Sequence, residues 1–148
     1  MQADEVKILL VEDNPRDAEL TLRALKGHRL ANQLIHLKDG QEALDWLFHT
    51  SPDSPTRSRC PKVILLDLKL PKISGLDVLR AIRDDERTRL VPVVVLTSSR
   101  QESDVLESYN LGVNSYIVKP VNFENFSAAV AEIGHYWLLT NEAPPSLS

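Results

Sequence analysis

Short runs of Val, Ile and Leu alternate along this chain with longer stretches whose apolar residues recur at helical spacing, a pattern that predicts repeated βα units. The runs Val6–Val11, Gln33–Leu37, Lys62–Leu66, Val91–Leu96 and Ser115–Val118 predict strands. The first, third and fourth are almost wholly apolar, as suits central strands of a parallel sheet covered on both faces. The second and fifth are shorter and more mixed, as expected of edges. Ala43, Leu44, Leu47 and Phe48 define one face of a second helix, Leu76, Leu79 and Ile82 of a third, and Phe126, Val130, Ile133 and Trp137 of a last. Helix starts are marked by Asn14 before Pro15, Asp39 with Glu42 three later, and Ser99 with Glu102 three later, each just past a strand. Five βα units of an α/β fold result, with a polar loop from Thr50 to Pro61.

Length and composition narrow the picture. The 148 residues suit one domain; we expect it over residues 1–140, with a Pro- and Ser-rich tail over 141–148. The 17 basic residues are scattered and the net charge is -4, so no footprint for a phosphate backbone is visible and nucleic acid is not expected as a direct partner. The single cysteine, Cys60, cannot form an intramolecular disulfide. The polar start lacks the pattern of a signal peptide, and no apolar run approaches the roughly 18 residues of a membrane span. A cytoplasmic location is the expectation.

In open α/β sheets ligands bind beyond the carboxyl ends of the strands. The first strand runs into Glu12-Asp13 and the third into Asp67; if the two are neighbours, three carboxylates converge. Such groups repel unless a cation sits among them, and hard oxygen donors of this kind suit Mg2+. The fourth strand ends in Thr97-Ser98 and the fifth in Lys119-Pro120. Taken singly, each of these has an ordinary reading as a turn, a helix cap or a solvated lysine. Together they supply what acyl-phosphate chemistry needs: a carboxylate nucleophile, a metal site, a hydroxyl and an ammonium. The histidines His28, His36, His49 and His135 show no metal-ligand spacing.

Glu12-Asp13, Asp67, Thr97 and Lys119-Pro120 resemble, in order and spacing, the receiver domain of two-component response regulators. The likeness runs from Val6 to about Ile133, and Leu65-Leu66-Asp67-Leu68-Lys69-Leu70-Pro71-Lys72-Ile73-Ser74-Gly75 is its most specific part. It implies a flavodoxin-like doubly wound sheet of five parallel strands in the order 2-1-3-4-5. By this resemblance Asp67 is the phosphoacceptor. Asp13, Asp67 and the backbone carbonyl of Lys69 hold Mg2+, with Glu12 acting through water. Thr97 binds the phosphoryl group and shifts toward it, Lys119 pairs with it, and Tyr116 is the switch aromatic that follows. The side chains of Lys69 and Ser99 lie where the family tunes phosphoryl lifetime, and the Lys119-Pro120 bond is cis in the family.

After Trp137 only a short tail remains, so output is expected through a protein contact, with a symmetric homodimer formed by the fourth helix, fifth strand and fifth helix. The insertion from Thr50 to Pro61 and the Tyr136-Trp137-Leu138 ending are similar to small receivers that serve phytochrome-type histidine kinases, which implies such a sensor kinase as phosphodonor. Three other readings compete. A haloacid-dehalogenase-like phosphatase requires a second Asp where Lys69 stands. A nucleotide-binding module requires a glycine-rich motif that the chain lacks. A degenerate receiver that only binds partners conflicts with the full set of site residues.

Overall fold

The computed structural model describes residues 8–27, 34–48 and 61–119, together with Ala128 and Glu132, both helical. The expected fifth helix beyond those two positions, the loop over 50–60, the tail, the Lys119-Pro120 bond, and His28, His49, His135 and Cys60 lie outside the described residues. Five strands, β1 (Ile8–Val11), β2 (Leu34–Leu37), β3 (Val63–Leu66), β4 (Val93–Thr97) and β5 (Ser115–Val118), alternate with four helices, α1 (Pro15–Gly27), α2 (Gly40–Phe48), α3 (Gly75–Asp84) and α4 (Glu102–Asn110). All pairings are parallel, and the order is β2-β1-β3-β4-β5. The expected flavodoxin-like architecture and strand order are both found.

Successive side chains of a strand point to opposite faces, so an all-apolar strand must be covered twice. Leu9 and Val11 of β1 join Ile64, Leu66, Val93 and Val95 in a core closed by Ala43 and Leu47 of α2 and Val78, Leu79 and Ile82 of α3. Ile8 and Leu10 join Val63, Leu65, Val94 and Leu96 in a second core on the opposite face, closed by Ala18, Ala24 and Leu25 of α1. The edge strands β2 and β5 are only half-buried, as their mixed composition predicts.

Two of the boundaries that differ from those expected have a local cause. The ladder of β4 begins at Val93 and not Val91, because Pro92 has no N–H to offer, although its carbonyl still accepts from the Ile64 N–H at 2.9 Å. At the start of α4 the spacing of Ser99 and Glu102 does not form a cap. Gln101 is the capping residue, and the Ser99 hydroxyl instead donates to Asp104 Oδ2 at 2.5 Å. The other two start signals hold: Asn14 Oδ1 accepts from the N–H groups of Arg16 and Asp17, and Asp39 Oδ1 accepts from that of Glu42. Among the described residues, no helix is long and apolar enough to cross a membrane.

Candidate functional site

The register of the central strands carries the site. Val11 of β1 lies opposite Leu66 of β3, so the residues that follow, Glu12 and Asp67, emerge side by side. The Asp67 N–H donates to the Val11 carbonyl at 3.1 Å, the Glu12 N–H to the Leu37 carbonyl at 3.0 Å and the Lys119 N–H to the Thr97 carbonyl at 2.7 Å. These bonds continue the sheet one step past the strands and fix the backbone from which each functional side chain projects.

One carboxylate oxygen each from Glu12, Asp13 and Asp67 falls within a cluster of 4.8 Å. Glu12 and Asp67 are buried, whereas Asp13 is exposed and opens the cluster to solvent. Lys119, itself only 5% exposed, places Nζ 2.6 Å from Glu12 Oε1, 2.8 Å from Asp17 Oδ2 and 3.4 Å from Asp67 Oδ2. A buried ammonium is tolerated here because each of its three protons has an anionic acceptor. Burial alone pulls Lys119 toward neutrality, but hydrogen bonds to Asp17 and Glu12 and the charges of Glu12 and Asp67 outweigh it, holding the group above its ordinary range. Glu12 shows the opposite strain of the site. Burial, aided by the Asp67 charge, pushes its carboxyl up to about 7 even against the Lys119 hydrogen bond. The cluster therefore has more negative charge than one lysine neutralises, and its donors are hard oxygens at an open mouth. It fits a divalent cation such as Mg2+.

Local structure tightens this arrangement from three sides. Glu12 Oε2 accepts from the Asn14 N–H at 3.2 Å, and the Glu12 carbonyl is 2.8 Å from His36 Nε2, so β2 and the start of α1 both hold the acid in place. Asp67 Oδ1 accepts from the Lys69 N–H at 3.1 Å, while the Lys69 side chain is exposed. Beyond it, the Ile73 N–H donates back to the Pro71 carbonyl at 2.8 Å around Lys72, whose φ is 69°, a γ-turn in the left-handed region. Gly75, which opens α3, donates to the Leu68 carbonyl at 2.9 Å, and a Cβ there would lie 2.1 Å from the Asp67 carbonyl oxygen. Only glycine allows the helix to seat directly on the backbone of Asp67.

Thr97 is fully buried at the end of β4, where its Oγ1 accepts from the Ser99 N–H at 3.3 Å. Tyr116 on β5 is half-buried and donates its hydroxyl to the Ser99 carbonyl at 3.1 Å. Burial raises the phenol above its usual range, and the Asp104 and Asp67 charges add to this. Ser99 thus links Thr97, Tyr116 and, through its hydroxyl, Asp104 of α4.

The structure brings together Glu12, Asp13, Asp67 and Lys119, and sets Thr97, Ser99 and Tyr116 along the adjoining strand ends. Asp17 and His36 are the additions. Asp17 in the first turn of α1 reads as an ordinary helix-start acid, and nothing local reveals its bond to Lys119. His36 looks like any polar residue of an edge strand; the only signal for it is its register opposite Leu10, two residues before Glu12.

The chain matches the family model of the response regulator receiver domain over residues 8–131. It is 44% identical to the probable methanogenesis regulatory protein FilR2 of Methanothrix harundinacea, over 95% of this chain and 89% of that protein. Among solved structures it resembles the phosphorylated cyanobacterial phytochrome response regulator RcpA, with a TM-score of 0.83 and 38% identity over 95% of this chain and 99% of RcpA. The bacteriophytochrome response regulator RtBRR is 52% identical, with a TM-score of 0.71 over 95% of this chain and 85% of its own.

Proposed function

The chain belongs to the response regulator receiver family, and from that premise we propose that it is a phosphoryl-operated switch whose acceptor is Asp67. The observation that carries this reading is the buried Lys119 ammonium held beside Asp67 within a rim of surplus acids. An Asp67 carboxylate oxygen attacks the phosphorus of a phosphohistidine on a sensor kinase, the imidazole nitrogen leaves, and an aspartyl phosphate remains. Asp13, Asp67 and the Lys69 carbonyl hold Mg2+, with Glu12 acting through water. When bound, the ion neutralises charge on the phosphoryl oxygens. Lys119 supplies the protein's own cation to the same oxygens, and the Thr97 hydroxyl, whose oxygen accepts from the Ser99 N–H, turns to bind them. Tyr116 is tied to the same loop through the Ser99 carbonyl, so a shift of Thr97 and Ser99 changes what holds the ring.

Output is a protein contact made by the α4 and β5 face together with the last helix. Leu106 and Tyr109 of α4 are more than half exposed, apolar surface of the kind an interface covers. A second copy of the chain is the proposed partner, and the cytoplasm is the proposed setting. The likeness to RcpA and RtBRR supports a phytochrome-type histidine kinase as the phosphodonor. Incubation with acetyl phosphate and Mg2+ tests the chemistry: the phosphate taken up is expected to be released by neutral hydroxylamine, as an acyl phosphate is. Label that resists hydroxylamine would place it on another kind of residue.

A further inference from the structure

Lys119 divides its three protons unequally, with the shorter bonds to Glu12 and Asp17 and the longest, at 3.4 Å, to Asp67. Asp17 is not one of the acids of the cation cluster. Its backbone is fixed without any bond to Lys119, by the N–H bond to the Asn14 cap at 3.1 Å and by the Thr21 hydroxyl, which donates to its carbonyl at 3.0 Å. The carboxylate that reaches across to the end of β5 is three-quarters covered, so water screens the ion pair only in part. A first-turn acid needs no lysine to suit a helix start, and Lys119 already has Glu12. The Asp17 bond therefore has an effect of its own, which is to pull the ammonium toward α1 and away from Asp67.

Resting on the assignment of Asp67 as phosphoacceptor, we propose that Asp17 is a positioning residue that competes with the phosphoryl group for Lys119 and so weakens the grip of the site on its ligand. Phosphoryl oxygens at Asp67 offer the ammonium stronger acceptors than the carboxylate oxygen at 3.4 Å. To reach them Lys119 loosens its bond to Asp17. The first turn of α1 then carries an unpaired carboxylate only when the site is filled, which makes that turn report occupancy.

The test uses the full chain in saturating Mg2+ titrated with fluoroberyllate, a tetrahedral phosphoryl mimic, and followed by 19F NMR. Asp17→Asn keeps the shape and removes the charge; it is expected to bind fluoroberyllate about 3- to 10-fold more tightly, the effect of removing one partly screened charge-assisted competitor. Asp17→Glu restores the anion and is expected to return the affinity toward that of wild type. A folded Asp17→Asn that binds equally or more weakly overturns the proposal, since a purely structural role for the ion pair would loosen the site. Should Asp17→Asn fail to fold, the wild-type protein decides: the 13C resonance of the Asp17 carboxylate is expected to move on fluoroberyllate addition, and a static resonance overturns the proposal. Asp67→Asn separates the two levels. Binding by Asp67→Asn as tight as by wild type removes the acceptor assignment itself. Binding lost in Asp67→Asn and unchanged in Asp17→Asn removes only the role of Asp17.

Discussion

Glu12 and Lys119 have opposite charge preferences and share one bond, and the balance between them decides how the site responds to pH. Burial holds the Glu12 carboxyl at about 7, so without a cation it keeps its proton over much of the acidic range. A divalent ion competes with that proton. The apparent Mg2+ affinity should therefore be weak below pH 6, rise as pH passes through about 7, and level off above it. Calorimetric titration across this range checks the sign, and an affinity that is flat or falls with rising pH contradicts it. The identity of these residues was legible in the sequence because strand ends are where an α/β sheet presents ligands, and acids, hydroxyl and lysine stood at four of them. The pairing of Lys119 with Asp17 was not, because 102 residues separate the two and each has a sufficient local explanation. The same holds for His36, whose ring meets the Glu12 carbonyl only through the β1–β2 register.

Elements matter here chiefly through how they seat on the backbone around Asp67. The segment Pro71-Lys72-Ile73 is caught between the starts of two helices. The Gly40 N–H donates to the Pro71 carbonyl at 3.4 Å, Lys72 reaches Asp39 Oδ2 at 3.5 Å, and Gly75 meets the backbone of Asp67 and Leu68. Because the obstructing atoms are backbone, they cannot rotate away from an added methyl group. Gly75→Ala should lower stability by about 1–3 kcal/mol, the usual cost of overpacking, and disturb the site as well. Chemical denaturation measures it, and an unchanged midpoint would show that the helix start can retreat. Strand composition and helix faces announced these elements well, since central strands buried twice are uniformly apolar. The start of α4 departs from its sequence signal for a physical reason: the helix begins at Glu102 behind Gln101, so the Ser99 hydroxyl, two residues before the cap, accepts from the Gln101 N–H at 3.4 Å and donates to Asp104 in the first turn.

In the whole molecule, the strand order reverses between β1 and β3, and the crevice outside that reversal is where Glu12, Asp13 and Asp67 meet. The two cores clamp α1, α2 and α3 firmly, whereas α4 buries only Ser108 and leaves Leu106 and Tyr109 in solvent. Few buried apolar contacts make this the helix that moves at least cost among those described. Addition of fluoroberyllate and Mg2+ should therefore increase the dimer fraction in sedimentation velocity, and a protein that stays monomeric in both states removes the dimer as output. Beneath the switch and its partners lies one chemical claim, that Asp67 takes the phosphoryl group. Intact-protein mass after acetyl phosphate treatment in Mg2+ tests it most directly: wild type gains one phosphoryl group and folded Asp67→Asn gains none. A full gain in Asp67→Asn would contradict the assignment on which the account stands.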